Sequence, residues 1–185
     1  MKEIQQRTSK EIRKPIKFIK NILGKNLIGA EVGVYRGKHA KQMLSFLSLK
    51  KLYLIDDWKV KWYLWIKEQN AYQVQKNKKD IYDKIVKYFS KHPNTEIIKE
   101  PSVLASQRFK NNSLDFVYID ANHNYDCVLN DLYAWKEKVK KGGVLCGHDY
   151  NWSEVQNAVK TYLKTHTRKL KTYNSVRGDW WWVIS

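Results

Sequence analysis

Asp120 and His123 stand three positions apart, and His148 and Asp149 stand side by side; each group closes a short run of β-forming residues. The first run is DFVYID (115–120) and the second is VLCGHD (144–149), with an amphipathic segment between them. Carboxylates are hard oxygen donors suited to Mg²⁺. An imidazole titrates near neutrality and serves as a general base or as a ligand that favours Mn²⁺ or Zn²⁺. Two strand ends that deliver two acids and two imidazoles to one edge therefore make a site for proton transfer, metal binding or both.

Those strands belong to an alternating pattern, which predicts a mainly parallel sheet with helices on both faces. Strands are expected at 28–34, 52–56, 96–99, 115–120 and 144–149, and a terminal hairpin at 168–173 and 180–185. Ala40, Met43, Leu44 and Leu47 mark a helix after the first strand. Val128, Leu132, Trp135 and Val139 mark another, which Gly142-Gly143 is expected to stop as a C-cap. Trp180 and Trp182 share one face of the last strand and Trp181 the other, a pattern of core packing. A basic helical segment over residues 8–23 contains Pro15, and an aromatic and lysine-rich stretch over 58–92 looks like an insertion near the site. The expected organisation is one domain spanning 1–185, since neither a repeat nor a low-complexity linker divides it.

A second cluster lies where the first strand meets its helix. Glu31-Val-Gly33-Val-Tyr-Arg-Gly37 lacks the GxGxxG fingerprint, yet its glycines allow a sharp turn and close backbone approach to a ligand. The second strand ends in Asp56, at the distance where an acid accepts hydrogen bonds from ribose hydroxyls.

The order Glu-x-Gly-x-x-x-Gly, IDDW, EPS, IDANHNY and GGVLCGHDY resembles the class I S-adenosylmethionine-dependent methyltransferases. Within them it is similar to the small-molecule and sugar O-methyltransferase branch with Ile-Asp-x-x-His-x-Tyr and Gly-His-Asp-Tyr strand ends. The resemblance covers residues 28–150, and WWWVIS fits the fold's antiparallel final strand. It implies an α/β, three-layer Rossmann-like sandwich with a mainly parallel seven-stranded sheet and an antiparallel C-terminal strand.

It further implies that Glu31, Gly33 and Gly37 meet the methionine end and ribose of S-adenosyl-L-methionine, and that Asp56 binds the ribose. Ser102 would lie by the adenine, where it also suits a helix N-cap. Asp120 would serve both cofactor site and catalysis, and His123 would be the general base unless it only fixes its loop. Asp120, His148 and Asp149 are the candidate ligands for Mg²⁺ or another divalent metal. Metal-dependent relatives carry an acidic or Asp-Asn pair where this chain has His148-Asp149, so a metal-free site stays open. Asp131 reads as structural, and His39, His92 and His166 as surface histidines. Trp58, Trp62, Tyr63 and Trp65 begin at the binding edge, where they either stack on a ligand or cover helices.

Net charge is +17 over 185 residues, which invites a nucleic-acid reading. Of 35 basic residues, however, 29 are Lys and six Arg, and they are scattered from end to end, whereas bidentate phosphate recognition favours Arg. The preferred acceptor is a sugar, glycan or other small hydroxylated molecule. The alternatives are an RNA methyltransferase and a non-catalytic cofactor-binding relative. The absence of a long apolar run excludes a membrane-spanning helix, and two cysteines without metal spacing suit a reducing, cytoplasmic setting.

Overall fold

The computed structural model describes residues 12–59, 68–165, 169–173 and 178–185. A seven-stranded sheet forms its middle layer: β1 (Leu27–Val32), β2 (Leu49–Ile55), β3 (Thr95–Ile98), β4 (Leu114–Ile119), β5 (Val139–His148), β6 (Lys171–Tyr173) and β7 (Asp179–Val183). Their order is β3-β2-β1-β4-β5-β7-β6. Strands β1 to β5 pair in parallel, while β7 runs antiparallel to both β5 and β6.

Helices cover both faces because the central strands β1 and β4 are buried on both sides. On one face lie α1 (Lys14–Leu23), α2 (Lys38–Phe46) and α3 (Glu68–Phe89). Ile16, Ile19, Ala40, Met43, Ile85 and Phe89 from these helices pack against Leu52, Leu54, Phe116, Val144 and Trp181. On the other face are α4 (Ser102–Ser106), α5 (Tyr125–Lys136) and α6 (Ser153–Lys164). Their Val128, Leu132, Trp135, Val159 and Tyr162 pack against Val117, Leu145, Trp180 and Trp182. Trp180 and Trp182 stack with centroids 5.2 Å apart. Burying a side chain of this size stabilises by roughly 1.5–3 kcal/mol, so the WWW strand anchors both layers.

Several expectations change in detail. Gly142-Gly143 does not cap α5, which closes at Glu137 in right-handed helical conformation, with Lys138 N–H donating to the Trp135 carbonyl. The two glycines lie inside β5, where Gly142 has φ +81° and donates to the Ile184 carbonyl. A Cβ on Gly143 would come within 2.6 Å of the Asp115 carbonyl oxygen. They bend the strand rather than end the helix. The 58–92 stretch is not a pure insertion either: its helix α3 is itself the crossover between β2 and β3. Of the two roles open to Pro15, interrupting or restarting the N-terminal helix, it takes the second and stands in the first turn of α1, where proline's fixed φ is suited.

The sheet order reverses between β1 and β4, which are neighbours although their connections leave in opposite directions. The crevice beyond the carboxyl ends of such strands is the usual ligand position in open α/β sheets. Register lines up the residues there. Val32 pairs with Ile55 and Ile119, Ile119 with Gly147, and His148 with Asp179.

Candidate active site

Four strand ends converge on this edge. The ladder continues past β1, with Gly33 N–H donating to the Ile55 carbonyl at 2.8 Å and Asp120 N–H to the Val32 carbonyl at 2.7 Å. Gly33 has φ +92°, and a Cβ there would lie 2.1 Å from the Asp120 carbonyl oxygen. Glycine is required for this approach of the loop to β4. Gly37 (φ +67°) starts α2, and a Cβ there would strike Ile85 and Phe89 of α3. The two glycines therefore fit the loop between two neighbours.

Asp56 fastens that loop. Its Oδ2 accepts from Tyr35 N–H at 2.9 Å and its Oδ1 from Trp58 N–H at 2.8 Å. Trp58 is 2% exposed and donates from Nε1 to the Tyr35 carbonyl at 3.0 Å. It locks the glycine loop and offers no open stacking face. Trp62, Tyr63 and Trp65 lie outside the described residues. Ser102 is the first residue of α4 but makes no capping bond; its Oγ accepts from Trp135 Nε1 at 2.8 Å.

At the β4 and β5 ends the acids and imidazoles interlock. His123 Nε2 lies 2.7 Å from Asp149 Oδ2, and His148 Nδ1 lies 3.2 Å from the same oxygen. His148 Nδ1 is also 3.7 Å from Asp120 Oδ1, and its Nε2 is 4.0 Å from Asp179 Oδ1. Asp149 turns back into this cluster with φ +55°, a left-handed conformation costly for a non-glycine residue. Burial works to raise its pKa, but hydrogen bonds from His123 and His148 outweigh it and hold the carboxylate well below the usual range. Burial opposes ionisation of Asp120 too, and there the neighbouring His148 and the Arg13 charge win, keeping it low. For His148, burial is overcome by the neighbouring Asp120 and Asp149 carboxylates, which raise its pKa.

The residues fit a divalent cation by type. One ligand atom each from Asp120, His123 and Asp149 lies within 4.8 Å of the others. Asp149 Oδ1 is buried without a hydrogen-bond partner. His123 rather than His148 completes this three-residue group, while His148 braces both carboxylates from behind.

Some participants were not legible as such. Arg13, immediately before α1, donates from Nη1 to Tyr118 Oη at 2.5 Å and to Asp120 Oδ2 at 3.1 Å. Its place among only six arginines in a lysine-rich chain is the one signal it left. Tyr118 sits two residues before Asp120 on the same strand face, a signal that period-2 geometry makes readable. Its hydroxyl donates to Asp179 Oδ1 at 3.3 Å. Trp152 stacks on His123 with centroids 5.0 Å apart and is 54% exposed.

His39 is not the surface histidine expected. It is 7% exposed, with Nδ1 3.2 Å from Glu31 Oε1 and its ring 4.1 Å from that of Tyr118. The cause is α2's inward face, on which His39, Ala40 and Met43 are all buried. His92 is half-buried beside Tyr88, and His166 lies outside the described residues. Asp131 is buried within α5.

The sequence profile of a family described as a methyltransferase domain matches residues 30–150, well over half the chain. The chain belongs to this methyltransferase-domain family. It is a class I S-adenosylmethionine-dependent methyltransferase, and its strand order and converging edge are those of that fold.

Solved structures agree on the fold. An rRNA methylase from Streptococcus thermophilus is 16% identical, with 99% of each chain covered and a TM-score of 0.64. The O-methyltransferase NovP is 13% identical over 93% of this chain and 80% of its own, with a TM-score of 0.65. A spermidine synthase bound to a transition-state analogue is 13% identical over 93% of this chain and 60% of its own, with a TM-score of 0.61. At such identities the likeness concerns the fold alone. No curated protein sequence matches the chain.

Proposed function

We propose that this methyltransferase acts on a hydroxyl of a sugar, glycan or other small molecule, with His123 as general base. The observation that carries the reading is the His123–Asp149 contact of 2.7 Å beside Asp120 and the glycine loop. S-Adenosylmethionine, bound along Glu31, Gly33, Gly37, Asp56, Ser102 and Asp120, supplies an activated methyl group. The protein then has to position the acceptor and take its proton.

Asp149, held ionised, accepts from His123 Nε2–H, which leaves the Nδ1 lone pair to receive the acceptor's proton. The carboxylate stabilises the imidazolium that forms, and the stacked Trp152 ring fixes the imidazole plane. A second route is favoured by the unpartnered Asp149 Oδ1. A divalent cation held by Asp120, His123 and Asp149 would lower the acceptor's pKa and orient its oxygen.

The experiment is methyl transfer to a panel of sugars and phenols by wild type and His123→Ala, with and without chelator. Turnover should fall about 100-fold or more in the variant, the scale of general-base catalysis, with calorimetric cofactor affinity intact. A fully active His123→Ala enzyme removes the base assignment. Chelator-insensitive turnover, with no metal in the purified protein, removes the cation route.

A further inference from the structure

We infer that Arg13, immediately before α1, binds the α-carboxylate of S-adenosylmethionine and forms part of the wall of the donor site. The inference rests on the glycine-loop edge being that donor site.

The amino-acid end of the cofactor carries a carboxylate beside an ammonium and a sulfonium. The β1 and β4 ends suit the two cations, since Asp120 and Asp149 stand there, with Asp179 beyond His148. They are hostile to a carboxylate, because a buried anion among acids without a partner is strongly disfavoured. One cation has to be supplied there. Among the described residues, Arg13 is the one Arg or Lys whose charge acts on Glu31, His39, Asp120, Tyr118, Cys146 and His148. It reaches this position from outside the sheet, at the start of α1.

The geometry suits the task. Both recorded hydrogen bonds of the guanidinium, to Tyr118 and Asp120, leave from Nη1. A guanidinium carries five donors, and its fork matches the two oxygens of a carboxylate. The side chain is 21% exposed, so one part of it still faces open space. Tyr118 and Asp120 thus pin the arginine from the β4 side, and Gly33, which sits against the Asp120 backbone, brings the loop alongside. Lysine could not do both jobs, because its ammonium is a compact point charge.

The test is calorimetry on the full chain with two probes, S-adenosylhomocysteine and 5′-methylthioadenosine, which lacks the amino-acid end. Arg13→Gln should weaken S-adenosylhomocysteine about tenfold or more, as expected for a charge-assisted hydrogen bond. Its affinity for 5′-methylthioadenosine should change less than about twofold, and Arg13→Lys should fall between wild type and Gln. Equal losses for both probes would mean that Arg13 only shapes the pocket and would overturn the inference, as would an unchanged affinity for S-adenosylhomocysteine. If neither probe bound the wild type, the donor-site reading would fall with it. Should Arg13→Gln not fold, Arg13→Lys carries the comparison alone: a loss confined to S-adenosylhomocysteine supports the inference and any other pattern rejects it.

Discussion

At the scale of single residues, the Glu31–His39 pair shows how burial overrides sequence intuition. Burial first, and the Asp120 and Asp56 charges next, push the Glu31 pKa well above its ordinary 4.5. Burial, with Arg13 and His148, pushes His39 well below its ordinary 6.5. Burial therefore favours the neutral form of both partners. Above pH 4.5 the unfolded chain releases the Glu31 proton that the folded chain keeps, so stability contributed by this group declines as pH rises. Glu31→Gln removes that decline, and its Tm should gain on wild type as pH rises above the ordinary carboxyl range; a gap constant with pH would refute the raised carboxyl pKa. Asp56 presents a separate test. A carboxylate has about four lone-pair sites, and the Tyr35 and Trp58 N–H groups occupy two of them. Asp56→Asn keeps the shape but loses the charge, and should weaken cofactor binding by about 1 kcal/mol or more. Unchanged calorimetric affinity would discard the ribose role.

At the scale of elements, the loop between β1 and α2 is held by contacts on every side. Gly33 abuts the Asp120 backbone, Gly37 abuts α3, and Tyr35 is tied to Asp56 and Trp58. Gly33→Ala would place a methyl group against a carbonyl and force an alanine to φ +92°. The cost should be about 2 kcal/mol or more in urea unfolding, with cofactor binding lost in proportion. A variant as stable as wild type would contradict the close approach. A second clamp joins the other strand ends, because Glu154 of α6 accepts from Tyr125 N–H of α5 at 2.9 Å. Together with the Asp149 and Trp152 contacts it holds the loop that carries His123 from the α6 side.

At the scale of the whole molecule, the charge of +17 is the property most open to a different reading. An RNA acceptor would demand tight binding that weakens steeply with salt through counterion release. The small-acceptor reading expects no binding of a labelled single-stranded RNA tighter than about 1 μM at about 150 mM salt. Anisotropy titrations showing tighter binding with a steep salt slope would favour RNA. Among the described residues no helix is long and apolar enough to cross a membrane.

The sequence by itself determined the alternation of strands and helices, the terminal hairpin and the Asp120, His123, His148 and Asp149 strand ends. Local periodicity and turn chemistry carry that information. Only the tertiary structure brought His123 as well as His148 up to the Asp120 and Asp149 carboxylates, with Asp149 turned back through φ +55°. It alone placed Arg13, more than 100 residues away in sequence, on Asp120, and Asp179 opposite His148. It also turned His39 inward and moved Gly142-Gly143 from a helix cap into β5. Such pairings are set by strand order, register and helix docking, which bring together residues that local patterns cannot relate.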